Sequence, residues 1–236
     1  MNTEKLLAQL VERLQAAYGR DLLSVVLYGS AAGEDFHGKH SDLNVLCVVR
    51  AVDPPDLEKA EPAANWWRRL GNPAPLLMGQ QELESSTDAF PLEFLDIRDQ
   101  HRVLYGDDLF AQVEIDRHYH RVQVEHELRA KLLALRQRYL GIHRDRKAVL
   151  GLLVDSLPSF SALFRHALIL GGEQAPLRKR EILERAAARF GFDPAPFLAI
   201  LEVREEKRKH RQLEPRPTFE AYYLGVSRVC DAVDKL

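Results

Sequence analysis

Two short segments combine residue types suited to a phosphorylated ligand. Gly29-Ser30 closes the apolar, Val-rich run Leu22 to Tyr28, where a strand would end and a helical turn begin. Such a corner turns backbone N–H groups and a hydroxyl toward an anion. Further on, Asp42 and Asn44 stand two apart at the head of a second apolar run that ends at Val49. Residues two apart on an extended chain share a face. The carboxylate and the amide therefore leave this strand together, with Leu46 and Val48 continuing their face and Leu43, Val45 and Cys47 on the other. Mg²⁺ takes one or two carboxylates and completes its shell with substrate phosphates and water, so a carboxylate next to an anion-binding corner is the minimum equipment for metal-assisted phosphate chemistry.

A third carboxylate is expected from the segment Leu92 to Ile97, which follows Pro91 and reads as a strand. Its two acids, Glu93 and Asp96, are three apart and would point to opposite faces, so only one of them could serve a given site. Glu93 shares its face with Leu95, and Asp96 shares its face with Leu92 and Phe94; the local pattern leaves the choice open. His37, Lys39 and His40 lie in the loop between the two main segments, within reach of phosphates if that loop folds over the site, and otherwise form a solvated polar loop. Ser41 reads as a turn-former beside Asp42.

The elements that must position these groups follow from hydrophobic spacing. Leu6, Leu7, Leu10, Val11, Leu14 and Tyr18 recur at three- and four-residue intervals and predict a helix over 3–18, which Gly19 ends. Residues 22–28 and 42–49 predict strands joined by a polar loop containing Gly33 and Gly38. A helix is expected over 56–70 after Pro54-Pro55, and a short strand over 76–78. This makes a small mixed β-sheet with helices. From residue 116 onward strand-like runs vanish and apolar residues keep helical spacing. Helices are expected over 117–142, 146–170, 177–190, 194–208 and 218–234, the second bent or broken at Pro158, the fourth opened by Asp193-Pro194 and the last capped by Thr218. Phe160, Phe164, Phe190 and Phe197 are read as core. The expected organisation is α+β: residues 1–115 form one domain and residues 116–236 an all-α bundle.

Composition narrows the classes. Of 236 residues, 46% are hydrophobic and 29% charged, far from a disordered composition. No run of about 18 apolar residues occurs, and the N-terminus is charged and helix-patterned, so a cytoplasmic protein without membrane contact is expected. Cys47 and Cys230 are the two cysteines; both sit in apolar stretches and are read as buried packing residues rather than as a disulfide or zinc site. Residues 1–115 hold 10 Lys/Arg against 19 Asp/Glu and residues 116–236 hold 23 against 16, a −9 and +7 asymmetry that can help hold two domains together or attract an anionic ligand to the basic half, each single charge otherwise belonging to a solvated helix face. The basic clusters 178–180 and 207–211 lack interleaved aromatics and are read as solvated helix ends, so nucleic acid is not an expected partner.

Gly29-Ser30, with eleven residues between Ser30 and Asp42, then Ser41-Asp42-Leu43-Asn44 between two apolar strands, resembles the Gly-Ser…Asp-x-Asp signature of nucleotidyltransferases of the DNA polymerase β superfamily, in the branch of kanamycin and minimal nucleotidyltransferases. The resemblance implies the nucleotidyltransferase fold, transfer of a nucleoside monophosphate from an NTP such as ATP to a hydroxyl acceptor, and Mg²⁺. It implies metal binding by Asp42, Asn44 and Glu93, with Asp42 and Glu93 catalytic, and phosphate binding by Gly29, Ser30 and Lys39. Glu93 is the acid that aligns with the first acid of the family's Val-Asp-Leu-Val-Asp-Leu strand. Two departures stand out: Asn44 replaces the second acid, and Ala31-Ala32-Gly33-Glu34 replaces an arginine followed by glycine. An amide oxygen ligates Mg²⁺ without adding charge, so the resemblance is also consistent with an alternative, a catalytically impaired nucleotide-binding or regulatory module. The helical half resembles, in architecture only, the domain that completes an acceptor cleft in antibiotic-modifying relatives. The acceptor, a small molecule or a macromolecule, and homodimer formation stay open. Because minimal nucleotidyltransferases are often paired with HEPN ribonucleases bearing an Arg-x(4–6)-His pair, Arg138 with His143, Arg121 with His126 and Arg204 with His210 are noted as chance-prone spacings.

Overall fold

The computed structural model describes residues 3–32 and 43–236, which cluster into two compact units, Met1–Asp116 and Arg117–Leu236. In the first, helix α1 (Thr3–Tyr18) leads into strand β1 (Leu22–Tyr28), a 3₁₀ turn (Gly29–Ala32), β2 (Asn44–Val49), α2 (Pro54–Arg69), β3 (Leu76–Gly79), α3 (Gln80–Ser85), α4 (Pro91–Asp99) and β4 (His101–Gly106). The sheet order is β3-β2-β1-β4, with β1 antiparallel to both β2 and β4 and β2 parallel to β3.

Each face of this sheet has its own core, and side-chain alternation decides which. Val25, Leu27, Val45, Cys47 and Val49 pack with Leu7, Leu10 and Leu14 of α1 and Trp67 of α2. Val26, Leu46 and Val48 pack with Met78, with Leu83 of α3, with Phe94 and Ile97 of α4, and with Phe110. The apolar band expected for one side of β2, Leu46 and Val48, thus faces α3 and α4, as period-two alternation requires.

The strand expected over 92–97 is a helix. Pro91, Leu92, Phe94, Leu95 and Ile97 are buried while Glu93 and Asp96 are exposed. Two buried residues followed by one exposed is a helical repeat, whereas a strand would alternate. Pro91 supplies a first-turn residue whose missing N–H costs nothing there. The strand lies just beyond, at His101–Gly106, on the sheet edge beside β1.

In the second unit α5 (Arg117–Ile142), α6 (Arg146–Leu170), α7 (Lys179–Phe190), α8 (Ala195–Arg204) and α9 (Pro215–Val233) form a bundle. The central helix α6 packs against the other four. By length and composition it is the one helix among the described residues apolar enough to cross a membrane, but its buried residues, Leu153, Leu157, Phe160 and Phe164 among them, build the bundle core. Phe164, Phe192 and Phe197 lie within 5.7 Å of one another and Phe197 stacks on Tyr222 at 4.4 Å.

At two prolines the helices depart from expectation for identifiable reasons. Helix α6 runs unbroken through Pro158: proline cannot donate to the Val154 carbonyl, and Arg204 Nη1 does so instead at 3.4 Å. Helix α9 begins at Pro215 rather than at a Thr218 cap, because Pro215 and Pro217 occupy first-turn positions that need no donor, and Thr218 Oγ1 donates to the Glu214 carbonyl. Asp193 caps α8 through the Ala195 N–H at 2.9 Å. Both cysteines are buried, and burial pushes the Cys47 thiol up to about 12 and that of Cys230 up to about 11, so both are protonated packing groups.

Candidate functional site

One end of the sheet collects the polar groups. At this end β2 begins, β1 ends and β4 begins, so the register places Asn44, Tyr28 and His101 side by side across three strands. Tyr28 packs with the core beneath α4, and the His101 ring lies 5.9 Å from Phe110 of the same core. This row therefore sits on the α4 side of the sheet. Burial raises the Tyr28 phenol above its usual value, which keeps it a neutral hydrogen-bond donor.

The chain leaves β1 at Gly29, whose φ of +74° is a conformation that strongly favours glycine. A Cβ built there would stand 3.5 Å from Asn44 Nδ2, ordinary contact; the backbone angle rather than lack of space calls for glycine. That distance also shows that the Gly-Ser corner and the Asn44 amide converge. The 3₁₀ turn Gly29–Ala32 follows at once. The Gly29 N–H is engaged, donating to the Gln100 carbonyl at 3.3 Å, so an anion at this corner would meet the amides after it. The entrance to β2 is steadied by Asn72, whose Oδ1 accepts from the Leu43 N–H at 3.4 Å.

Asp42 and Lys39, with His37, His40 and Ser41, lie outside the described residues; of Ser30 the backbone is described as part of the 3₁₀ turn. Glu93 is on the first turn of α4 and exposed. The opposite, C-terminal end of α4 is the one tied to Gly29 through Gln100, which puts Glu93 about 10 Å away along the helix axis at 1.5 Å per residue. On α4 Glu93 and Asp96 do not exclude one another, since residues three apart on a helix are neighbours. Among the described residues none of the four strands carries a carboxylate, and no three His, Cys, Asp or Glu side chains group as a metal site.

Sequence reasoning missed His101 and Asp108. The His101 side chain is 10% exposed. Its Nδ1 faces the carbonyls of Ile97 at 2.9 Å and Arg98 at 3.3 Å, and its Nε2 lies 2.9 Å from Asp108 Oδ1. That carboxylate oxygen also accepts from the N–H groups of Phe110 and Ala111. Burial alone would raise the Asp108 carboxyl; the bonds from His101 and from the Ala111 and Phe110 amides outweigh it and hold the group below its usual range. The signal available in the sequence was weak: a histidine opening a strand and an Asp two residues past Gly106.

The arginines of the Arg/His spacings in the second unit, and His143, have other partners. Arg138 lies 3.9 Å from Asp155 and His143 Nδ1 contacts the Leu140 carbonyl; Arg121 pairs with Glu125 at 2.9 Å and Arg204 with Val154.

No family profile matches the sequence, and no curated relative does. Among solved structures the chain is similar to a spectinomycin adenyltransferase, AAD(9), from Enterococcus faecialis, crystallised with ATP and spectinomycin. The TM-score is 0.60 at 14% identity, covering 99% of this chain and 100% of that one. The chain also aligns with a mutant of the toxin–antitoxin MntA–HpeT at a TM-score of 0.31 and 19% identity, covering 44% of this chain and 80% of that one. The first likeness shows that the fold is that of a nucleotidyltransferase, α+β with a helical second part.

Proposed function

We propose that this chain transfers a nucleoside monophosphate from an NTP, ATP being the first to test, to the hydroxyl of an acceptor molecule. The observation that carries the reading is the convergence of the Gly29 corner with Asn44, in a chain whose fold matches, over nearly its whole length, a protein crystallised with ATP. In this reading the amides at Ser30 and after it meet the phosphates, with Lys39 adding a positive charge from the loop, and residues 1–115 form the nucleotide-binding domain.

Mg²⁺ fits the donors available. The Asn44 amide oxygen is a hard ligand, Asp42 precedes it by two residues in the sequence, and an ion held by one or two protein oxygens completes its shell from phosphates and water. Asp42 and Asn44 would hold it, Glu93 lying about 10 Å along α4 from the corner, and when bound it neutralises the charge of the transferring phosphate. The protein's own work is to hold the phosphates at the corner, to align the acceptor hydroxyl and to accept its proton. Asp42 and Glu93, or Asp96 on the same helical face, are the bases proposed for that last step. The acceptor is proposed to be a small hydroxylated molecule, by analogy with the spectinomycin bound to AAD(9), and the setting cytoplasmic.

Asn44→Asp tests the metal assignment. Restoring a charge beside Asp42 is expected to tighten Mg²⁺-dependent ATP binding at least tenfold, since about 4 kcal/mol of attraction at an effective dielectric near 20 is only partly offset by desolvation. Calorimetric titration of parent and variant with ATP, with and without Mg²⁺, reads this directly. Equal affinity in all four titrations would remove Asn44 from the metal site. Strong ATP binding by the parent without Mg²⁺, and no turnover, would favour the nucleotide-binding module instead.

A further inference from the structure

The His101–Asp108 pair stands close to the proposed nucleotide corner without belonging to its expected machinery, and its bonding shows what it does. Both ring nitrogens of His101 are spoken for: Nδ1 lies against the last turn of α4, through the Ile97 and Arg98 carbonyls, and Nε2 against Asp108. Carbonyl and carboxylate oxygens can only accept, so whichever ring nitrogen carries a proton donates to the oxygens it faces. With neither nitrogen open, His101 is not placed to abstract a proton from an acceptor.

What the ring holds is the junction between α4 and β4. Gln100 is the single residue between Asp99, the end of α4, and His101, the start of β4. Its N–H donates back to Asp96 and Ile97, and its carbonyl accepts from the Gly29 N–H. Thus Ile97 receives two bonds from the junction, one from the Gln100 N–H and one from the His101 ring. On the other side Asp108 Oδ1 gathers His101 Nε2, the Phe110 N–H at 3.1 Å and the Ala111 N–H at 3.0 Å. Phe110 is fully buried in the core beneath α4, so Asp108 anchors the ring to a segment that cannot shift without opening that core. At the far end of β4 the Ser24 hydroxyl donates to the Asp107 carbonyl at 2.7 Å, and the Asp107 N–H to Leu23 at 3.3 Å, which sews the segment to β1.

We infer that His101, fixed by Asp108, is a positioning residue for the nucleotide corner: it immobilises the α4–β4 junction whose Gln100 carbonyl holds the Gly29 amide, and so sets the direction in which the amides after Gly29 point. The inference rests on the proposed function for its functional consequence. Its structural half, the dependence of the Gly29 amide on His101, stands without nucleotide. Glycine at φ +74° has alternative conformations within easy reach, and the 3.3 Å bond to Gln100 restrains its amide. A restraint of this kind acts on binding by preorganisation rather than by contact.

The test uses the full chain and four variants. His101→Ala removes both links. His101→Asn places an amide donor near the position of Nδ1 and keeps the α4 link alone. His101→Gln reaches toward Asp108 and keeps that link alone. Asp108→Asn keeps an acceptor for the Phe110 and Ala111 amides and removes the charge. Hydrogen exchange of the Gly29 amide is measured first, then ATP affinity and, where turnover is seen, nucleotide KM and kcat. His101→Ala is expected to speed Gly29 exchange at least tenfold and to raise nucleotide KM about tenfold with kcat within twofold, while His101→Asn recovers most of both. If His101→Ala does not fold, Asp108→Asn carries the same expectation at smaller size. Unchanged Gly29 exchange in a folded His101→Ala or Asp108→Asn chain overturns the inference even if the parent binds ATP. Faster exchange with unaltered nucleotide affinity overturns its functional half. A parent chain that binds no ATP overturns the proposed function itself, whatever the exchange shows.

Discussion

Asp42→Ala is expected to lower nucleotidyl transfer about a thousandfold while leaving the chain folded. Asn44 has no charge to share the work, so Asp42 is the one carboxylate of the Ser41–Asn44 segment, and its removal takes away the main electrostatic partner of a cation there. Opposite charges about 4 Å apart attract by roughly 4 kcal/mol at an effective dielectric near 20, and each 1.36 kcal/mol is a factor of ten in rate. An enzyme with two full acids would retain some metal affinity after losing one; this chain would keep an amide alone. Measured as release of pyrophosphate from ATP with a panel of hydroxylated acceptors, the variant should be indistinguishable from buffer, with its melting temperature close to that of the parent. A variant that turns over like its parent removes Asp42 from the site.

The largest expected loss of stability lies at the other end of the same sheet, at Gly106. Gly106 ends β4 at φ +75°, and a Cβ there would stand 1.9 Å from the Leu23 carbonyl oxygen and 2.9 Å from its carbon. The colliding atoms are backbone of β1 and cannot rotate aside. Gly106→Ala therefore adds a left-handed conformation, about 1–2 kcal/mol, to a forced displacement of the strand pair, typically another 1–3 kcal/mol. A loss of about 3 kcal/mol or more is expected, with separation of β4 from β1 near Ser24 and Gly106. Urea unfolding followed by tryptophan fluorescence reads it, because both tryptophans, Trp66 and Trp67, lie in α2 of the same unit. A midpoint equal to the parent's would show that the β1–β4 edge tolerates a displacement its close packing forbids.

Much of this architecture was legible because it is written in periodicity. The ends of α5 and α6 follow from apolar spacing; the structure adds that Asp145 caps α6 through the N–H groups of Lys147 and Ala148. Strand alternation assigned Leu46 and Val48 to one face of β2 and Val45 and Cys47 to the other, as the two cores show. The segment 92–97 misled because six residues with four apolar positions are short enough to suit either element, and the helical repeat shows only once Glu93 and Asp96 are seen exposed against five buried neighbours. Strand β4 was hidden for the opposite reason: as an edge strand of intermediate burial, opening with His101 and Arg102, it lacks the apolar alternation that marks a half-buried strand. The tie between Gly29 and Gln100 is a backbone bond across 71 residues, which no local pattern encodes.

These corrections change the proposed site in one respect. On a strand Glu93 and Asp96 would compete; on α4 they share an exposed face, and the acid proposed to assist transfer is a helical residue or comes from the segment before β2. The corner itself needs neither alternative, since it depends on Gly29, Asn44 and the α4–β4 junction.

The most direct test of that corner is a crystal structure of the chain with a non-hydrolysable ATP analogue and Mg²⁺. Phosphate oxygens are expected within hydrogen-bond distance of the Ser30 and Ala31 amides, with a metal ion ligated by Asp42 and the Asn44 amide oxygen. An analogue bound elsewhere, with no phosphate near residues 29–32, would contradict this placement.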